Sequence, residues 1–405
     1  MDCFRGIGPR VNSQESRGNL EQGTKRQEMG KYFFFGIFLF FCSSSFGQVK
    51  ITFKTGKIPK FKSDSARLFL AGNFNNWNPA DTAWELKRNA GGFFSLVKNS
   101  RKDNYNFKVT KGSWATVECG ATGQPVENRN IDVKTDTILT LDIENWQDNF
   151  PAPERKHTAS AQVHIISEKF EIPQLGRQRR IWIYLPAGYE TSKQQYPVIY
   201  MQDGQNLFDA YTAAYGEWGI DEIMDKLPAA DQSIIVGIDH GGDYRLTEYN
   251  PYDTKYGKGR GDDYVDFLAK TIKPYVDQHY RTKPGALYTT VAGSSMGGLI
   301  SMYAILKYPE IFGSAGVFSP SFWIAPNLYT LAQQKQLPAQ SRFYFVCGDA
   351  ESNEEVAQMQ KMVDVIRAKG FTDRQAPVTI VKGAAHNEKQ WNGDFPGFYK
   401  WLMGF

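Results

Sequence analysis

The pattern of apolar and polar positions divides the chain into two regions. Across residues 48–149, short apolar runs alternate with Gly, Asn and Asp turns, without a long amphipathic helix. This pattern predicts a small all-β domain of the immunoglobulin-like sandwich type. Across residues 162–405, apolar strand runs alternate with helical patterns, which predicts an α/β domain whose parallel sheet is covered on both faces. The Pro-bearing, charged stretch that opens residues 150–161 predicts a linker between the two domains.

The predicted strands of the second domain are short apolar runs, rich in β-branched and aromatic residues and bounded by turn residues. They are Pro197–Met201, Ser233–Ile238, Tyr288–Ala292, Ser314–Phe318, Phe343–Cys347 and Val378–Val381. A helix is predicted over Asp262–Tyr280, and its interior Pro274 predicts a kink.

The N-terminal 47 residues have the pattern of a targeting segment. Residues 1–28 are polar and lack a periodic apolar face, which indicates an extension upstream of a true start at Met29. Residues 29–47 combine a basic start, an apolar run too short to span a bilayer, and small residues before a cleavage point after Gly47. We therefore expect a signal peptide and an exported mature chain. Lipid attachment at Cys42 is the less favoured alternative, because Phe41 precedes it where a small residue is typical.

Composition and charge narrow the function classes. The chain has 405 residues, is 41% hydrophobic and 22% charged, and carries 47 Lys and Arg against 43 Asp and Glu. These charges are spread along the chain, so no concentrated basic face points to nucleic acid. Of the 4 Cys, Cys119 and Cys347 remain in the predicted mature chain, in different domains. They predict neither a disulfide framework nor a metal site.

The motif Gly293-Ser294-Ser295-Met296-Gly297 lies between a predicted strand and a predicted helix. A nucleophile elbow needs this strand, sharp turn and helix, with glycines where β-carbons would crowd the exposed serine. The pattern therefore indicates Ser295 as a nucleophile.

Candidate partners for Ser295 follow later in the chain, each just past the end of a predicted strand. His386 follows the last strand, and Asp349 and Glu351 flank the turn after the preceding one. This is the chain order of nucleophile, acid and base in α/β-hydrolases. Either carboxylate could be the acid. Ser352 and Glu355 have the spacing of a capping box that would start the next helix and keep the neighbouring carboxylate ionised.

The second domain resembles the putative esterase family, which includes esterase D, feruloyl esterases and siderophore esterases. The segments that carry the resemblance follow the family's order: Ile183–Pro186, Val198–Phe208, Arg245–Tyr249, Gly293–Gly298 and Ala384–Asn387. The resemblance implies an α/β-hydrolase fold with Ser295 as nucleophile, His386 as base and Glu351 as acid. It also implies an oxyanion hole formed by the backbone N–H groups of Met296 and, in the loop after a strand, of Gly204. It implies no metal or organic cofactor.

Further side chains in irregular segments after strands, or in family-typical insertions, are predicted to line the substrate pocket: Trp218, Phe322 and Trp323. Arg245 and Glu248 also occur in such a segment. We expect these two residues to pair with each other as scaffolding.

The first domain resembles the glycogen- and starch-binding sandwich modules. The segment Ala71–Pro79 and the tripeptide Gly112-Ser113-Trp114 carry this resemblance. It implies that Trp77 and Trp114 stack on glucose rings of an α-glucan, whereas the alternative is that they fill the sandwich core.

Together these patterns predict an exported serine esterase acting on small-molecule or polysaccharide esters, with sugar-linked acetyl or feruloyl esters favoured. A siderophore lactone esterase is the alternative within the same chemistry. A catalytically inactive glycan-binding scaffold is the alternative from another class.

Overall fold

A computed structural model describes residues 48–61, 65–75, 77–151, 156–214, 216–351 and 353–404. The chain divides into two compact units, residues 1–152 and 153–405. The predicted upstream extension, the signal peptide with Cys42, and Ser352 of the predicted capping box lie outside the described residues. Within the described ranges, no helix combines the length and apolar character needed to cross a bilayer.

The described part of the first unit contains nine strands and short 3₁₀ turns but no α-helix. The strands are β1 (Gln48–Thr55), β2 (Leu68–Gly72), β3 (Glu85–Arg88), β4 (Phe94–Arg101), β5 (Asp103–Thr110), β6 (Glu118–Cys119), β7 (Arg129–Val133), β8 (Thr137–Leu141) and β9 (Asn145–Trp146). Seven of them are hydrogen-bonded in the order β7-β5-β2-β3-β4-β1-β8, and β6 pairs with β9. The predicted succession of short strands is confirmed.

The core of the first unit comes from alternation along its strands. Val49, Ile51 and Phe53 of β1 are buried, while the residues between them are more exposed. Because successive side chains of a strand point to opposite faces, this alternation places one face of β1 in the core. Phe53 packs edge to face on Phe107, with ring centroids 5.6 Å apart. The all-β unit thus has a hydrophobic core of its own.

The second unit contains a mixed eight-stranded sheet. Its strands are β10 (Val163–Ile172), β11 (Arg177–Tyr184), β12 (Val198–Gln202), β13 (Ile234–Ile238), β14 (Thr289–Ser294), β15 (Ser314–Phe318), β16 (Arg342–Gly348) and β17 (Val378–Val381). The order is β10-β11-β13-β12-β14-β15-β16-β17. Strands β12 to β17 pair in parallel, and β10 and β11 add an antiparallel edge. This arrangement is α/β-hydrolase-like, and the predicted parallel strands are confirmed to within a few residues at their ends.

The α-helices of the second unit connect these strands. They are α1 (Ile220–Asp225), α2 (Arg245–Glu248), α3 (Gly261–Phe267), α4 (Lys273–His279), α5 (Met296–Lys307), α6 (Asn327–Gln334), α7 (Asn353–Ala368) and α8 (Glu388–Met403). The helix predicted over Asp262–Tyr280 is interrupted by a π-helical turn, Leu268–Ile272, which ends two residues before Pro274. Proline has no amide hydrogen, so the regular hydrogen-bond ladder cannot run through it.

Burial of the sheet explains where a site can form. All residues of β12, β13, β14 and β15 are buried, as expected for strands covered on both faces. Side chains within the strands therefore form the core. Functional side chains are therefore expected in the loops that follow the carboxyl ends of the parallel strands, where other open α/β sheets bind their ligands.

Candidate active site

Ser295 occupies a strained turn between β14 and α5. Its backbone lies at φ 58° and ψ −121°, and α5 begins at the next residue, Met296. Non-glycine residues rarely adopt this region, which costs about 1–3 kcal/mol and is typical of functional sites. A β-carbon on Gly293 would lie 2.8 Å from Gln202 Cγ, and one on Gly297 would lie 3.0 Å from Gln202 Cβ. The two glycines are thus needed for the turn, as the sequence predicts.

The Ser295 hydroxyl has a neighbour that sequence reasoning did not predict. Its Oγ lies 3.1 Å from Ser321 Oγ, and the Ser321 backbone N–H donates to the Ser295 carbonyl at 3.1 Å. Within the described residues there is no hydrogen bond between Ser295 Oγ and His386. Contacts between a nucleophile and its base are often long before substrate binds. Ser321 follows the end of β15, so its place after a parallel strand was the available signal.

His386 and Glu351 are hydrogen-bonded. His386 Nδ1 lies 2.7 Å from Glu351 Oε2, and the Glu351 side chain is fully buried. The other oxygen of Glu351 accepts from Ser319 Oγ at 2.6 Å and from the Gly348 N–H at 2.8 Å. The Trp391 indole N–H in turn donates to Ser319 Oγ at 2.9 Å. Ser319 and Trp391 therefore fix the carboxylate that holds the imidazole.

Asp349, the alternative acid, has a different partner. Its Oδ1 accepts from the Gly383 N–H at 2.6 Å. This bond joins the turn after β16 to the turn that leads to His386. Of the two carboxylates considered from sequence, the structure brings Glu351 to the imidazole. The catalytic roles themselves remain predictions.

A second carboxylate faces the imidazole from α7. Glu355 Oε1 lies 3.7 Å from His386 Nδ1, and its side chain is only 14% exposed. Burial raises the pKa of Glu355 to about 7, and the nearby Glu351 adds to the rise while His386 opposes it. The sequence predicted Glu355 only as a helix-capping residue. Its approach to His386 depends on how α7 is placed against the loop after β17, which no local pattern shows.

The ionisation of the His386 and Glu351 pair follows from their contact. Burial acts to raise the pKa of Glu351, but the hydrogen bonds from His386, Ser319 and the Gly348 N–H outweigh it and lower that pKa. For His386, burial acts to lower the pKa, and the Glu351 hydrogen bond with the nearby charge of Glu355 raises it above its usual value. The pair thus favours an ionised acid and a readily protonated base.

The candidate oxyanion loop follows β12. Asp203 lies at φ 59° and makes a bidentate ion pair with Arg245, at 2.7 and 2.8 Å. A β-carbon on Gly204 would lie 2.7 Å from the backbone carbon of Gly237, so only glycine fits beside β13. The first N–H groups of a helix have no intrahelical acceptor, which leaves the N–H of Met296 available as a donor. Arg245 therefore acts on this loop through Asp203.

The predicted pairing of Arg245 with Glu248 is wrong. Glu248 is fully buried and binds Arg177 and Arg179 instead, with Arg179 Nη2 at 2.5 Å from Oε2. The two residues lie three positions apart on α2. Arg245 binds Asp203 in the loop after β12, whereas the partners of Glu248 lie on β11. Both residues are scaffolding, with partners that are distant in sequence.

Two of the three predicted pocket residues are core residues. Trp218 is 2% exposed and packs on Phe318 and Trp391, and its backbone N–H donates to the Asn206 carbonyl at 2.8 Å. Phe322 has no exposed surface. Neither can line an open pocket. Trp323 is 51% exposed and remains a candidate for contact with substrate.

Two groups of side chains in the described part of the chain bring three possible metal ligands together. One comprises His386 with Glu351 and Glu355, the two carboxylates that face its imidazole. The other comprises Glu217, Asp221 and Glu222 at the start of α1. Cys119 and Cys347 are buried and free. Burial raises the pKa of both thiols, so neither is a ready thiolate.

Comparison with known proteins assigns the chain to a family. A model of the family described as Putative esterase matches residues 172–402, more than half of the chain. The uncharacterized protein YbbA of Bacillus subtilis is 29% identical over 245 residues, covering 56% of this chain and 93% of YbbA.

Two further relatives carry a named activity. An endo-1,4-beta-xylanase/feruloyl esterase of Xylanibacter ruminicola is 29% identical over 227 residues, covering 53% of this chain and 28% of that protein. An iron(III) enterobactin esterase of Dickeya dadantii is 32% identical over 169 residues, covering 42% of this chain and 35% of that protein. The chain belongs to the putative esterase family and is a carboxylic ester hydrolase.

Proposed function

We propose that the protein is a serine esterase that works through an acyl-enzyme. The observation that carries the proposal is the placement of a strained serine and a carboxylate-bound imidazole in loops at the carboxyl ends of parallel strands of one sheet. Ser295 follows β14, Glu351 follows β16 and His386 follows β17. A serine nucleophile, a histidine base and a carboxylate that orients the base are the three groups that allow a hydroxyl to attack an ester at neutral pH.

In the first half of the reaction, Ser295 Oγ attacks the ester carbonyl carbon and gives its proton to His386 Nε2. Glu351 holds Nδ1–H, so Nε2 is the free acceptor. The negative charge that develops on the carbonyl oxygen is stabilised by the N–H groups of Met296 and Gly204. The C–O bond to the alcohol then breaks, and the imidazolium protonates the departing alcohol.

In the second half, water replaces the alcohol. His386 takes a proton from the water as its oxygen attacks the acyl carbon, and the same N–H groups stabilise the second oxyanion. The bond to Ser295 Oγ breaks, the serine recovers its proton from the imidazolium, and the carboxylic acid leaves.

Sugar-linked acetyl or feruloyl esters are the favoured substrates. The feruloyl esterase activity named for the Xylanibacter relative supports this class, and the exposed Trp323 offers an aromatic surface for an aryl or sugar ring. A siderophore lactone is the second candidate, supported by the Dickeya relative. Turnover of 4-nitrophenyl acetate, methyl ferulate and a catecholate trilactone by the purified chain separates them. A higher kcat/KM for the trilactone would reject the sugar-ester proposal, and no turnover of any ester would favour the inactive scaffold.

The first unit is proposed to be an immunoglobulin-like sandwich that binds α-glucan. Trp77 and Trp114 are half-buried, lie outside the unit's core, and have ring centroids 6.2 Å apart with a tilt of 37°. Trp77 also lies at φ 58°, a costly conformation for a bulky residue that favours a functional reason for its placement. Retention on immobilised α-glucan should fall in Trp77→Ala and Trp114→Ala. Equal retention of parent and variants would reject glucan binding.

We propose further that the protein is exported. The signal peptide over residues 29–47 would leave Gln48 as the mature N-terminus. Intact-mass analysis of the protein recovered outside the cytoplasm tests this. If the mature chain instead began at a lipid-modified Cys42, the protein would be attached to a membrane surface and would not be released as a free chain.

A further inference from the structure

Three carboxylates gather at the beginning of α1, away from the groups that contact His386. Glu217, Asp221 and Glu222 each offer a carboxylate oxygen, and these oxygens all lie within 4.8 Å of one another. Asp221 and Glu222 occupy the first turn of the helix, and Glu217 lies in the segment just before it. Like charges at this separation repel unless a cation or a proton lies between them.

The carboxylate oxygens of this cluster are only partly satisfied by the protein. Asp221 has no exposed surface; its Oδ2 accepts from the Ser160 N–H at 2.7 Å, whereas its Oδ1 receives no N–H or hydroxyl donor from the described residues, and its carboxyl group interacts with that of Glu222. Glu222 Oε2 is also buried and receives no N–H or hydroxyl donor from the described residues. Glu217 Oε1 accepts from Thr158 Oγ1 at 2.8 Å. A buried carboxylate oxygen without a donor is costly, so these oxygens favour a positively charged occupant.

The charged groups around the cluster do not supply that positive charge. Within the described residues, no lysine or arginine forms an ion pair with any of the three carboxylates. The nearby Asp209 is a further acidic group, and it binds His157 at 2.7 Å. The cluster is therefore a concentration of oxygen ligands and negative charge.

We propose that Glu217, Asp221 and Glu222 bind one divalent cation, with Ca²⁺ preferred. An all-oxygen, carboxylate-rich ligand set favours hard cations, and Ca²⁺ tolerates the irregular geometry of a loop and a helix start better than Mg²⁺ does. Water completes the coordination. The ion has no part in the ester chemistry and acts as a structural clamp.

The clamp would join two segments that are distant in sequence. Ser160 and Thr158, which begin the second unit, are already bonded to Asp221 and Glu217. Neutralising the cluster removes the repulsion that opposes these contacts. It also secures the start of α1, which lies next to Trp218 and the wall of side chains behind His386.

A proton shared by Asp221 and Glu222 is the competing explanation. Burial, with the neighbouring Glu222, raises the pKa of Asp221 to about 8, so a protonated pair could exist at neutral pH. A cation and a proton compete for the same oxygens. The two explanations therefore differ in what added calcium does to the protein.

The test uses the full chain after treatment with EDTA and dialysis. Titration with CaCl₂ at pH 7.5, followed by calorimetry, should show one site per chain, and MgCl₂ should bind more weakly. At a calcium concentration about 100 times Kd, the Tm of the second unit should rise by roughly 5–10 °C. Absence of both binding heat and Tm shift would overturn the proposal in favour of the shared proton.

Variants assign the effect to the cluster. Asp221→Asn keeps an acceptor for the Ser160 N–H but removes a charge, so it should abolish the calcium-dependent rise in Tm. Glu217→Gln serves the same purpose if Asp221→Asn does not fold. Glu190→Gln, at an exposed position outside the cluster, should bind calcium like the parent. A full calcium response in both cluster variants would place the ion elsewhere and overturn the assignment.

Discussion

At the residue scale, the ester chemistry depends on which carboxylate restrains His386. Glu351 accepts three hydrogen bonds, from His386, Ser319 and the Gly348 N–H, while Asp349 accepts from the Gly383 N–H. Glu351 is thus placed to set the imidazole tautomer. Asp349 is placed to hold the adjoining turn.

Glu351→Gln should lower kcat by about 10²- to 10⁴-fold with little change in KM, because it removes an interaction realised mainly in the transition state. Asp349→Asn is the matched control and should have a much smaller effect, since an amide oxygen still accepts from Gly383. Steady-state kinetics on 4-nitrophenyl acetate compares them. A severe loss in Asp349→Asn beside a near-normal Glu351→Gln would reverse the assignment.

Glu355 should shift the acidic limb of the pH profile, which is set by the imidazole of His386. A protonated His386 cannot accept the serine proton, so kcat/KM falls as pH drops through the imidazole pKa. That pKa is raised by Glu351 and by the charge of Glu355. Glu355→Gln removes one of these causes and should move the acidic limb to lower pH while leaving the rate at high pH close to the parent. An unmoved limb would mean that Glu355 does not act on the base.

At the element scale, the turn between β14 and α5 places Ser295 where a side chain can reach substrate. The sequence predicted this turn because its signal is local: an apolar strand, two glycines and a helix start. The loops after β12 and β15 were predicted less well. Trp218 lies inward with its backbone N–H bonded to Asn206, and Phe322 packs against α6, contacts that no local pattern encodes.

Gly293→Ala should destabilise the second unit by about 1–3 kcal/mol, because its β-carbon would lie 2.8 Å from Gln202 Cγ and 2.9 Å from the Gly297 backbone. Gly393→Ala in α8 is the control. A β-carbon there meets nothing within 4 Å, so helix propensity should stabilise this variant by about 0.5–1 kcal/mol. Urea unfolding of both measures the difference. Equal stability of the two variants would show that the turn has room for a side chain.

At the scale of the whole molecule, the two units have separate hydrophobic cores. The proposed catalytic groups all belong to the second unit, and the tryptophans that resemble a glucan site belong to the first. The sequence predicted the positions of the parallel strands because each strand is one continuous apolar run. It did not predict the Arg245–Asp203 pair, the Ser319 bridge or the approach of Glu355, since each joins residues that only the folded sheet brings together.

Fluorophosphonate labelling of the full chain, with the adduct mapped by peptide mass spectrometry, tests the central claim most directly. We predict a single adduct, on Ser295. Ser295→Ala should lose the adduct and about 10⁴-fold or more of ester turnover, while Ser294→Ala keeps both. An adduct on another residue, or a Ser294→Ala variant that is the inactive one, would contradict the proposed mechanism.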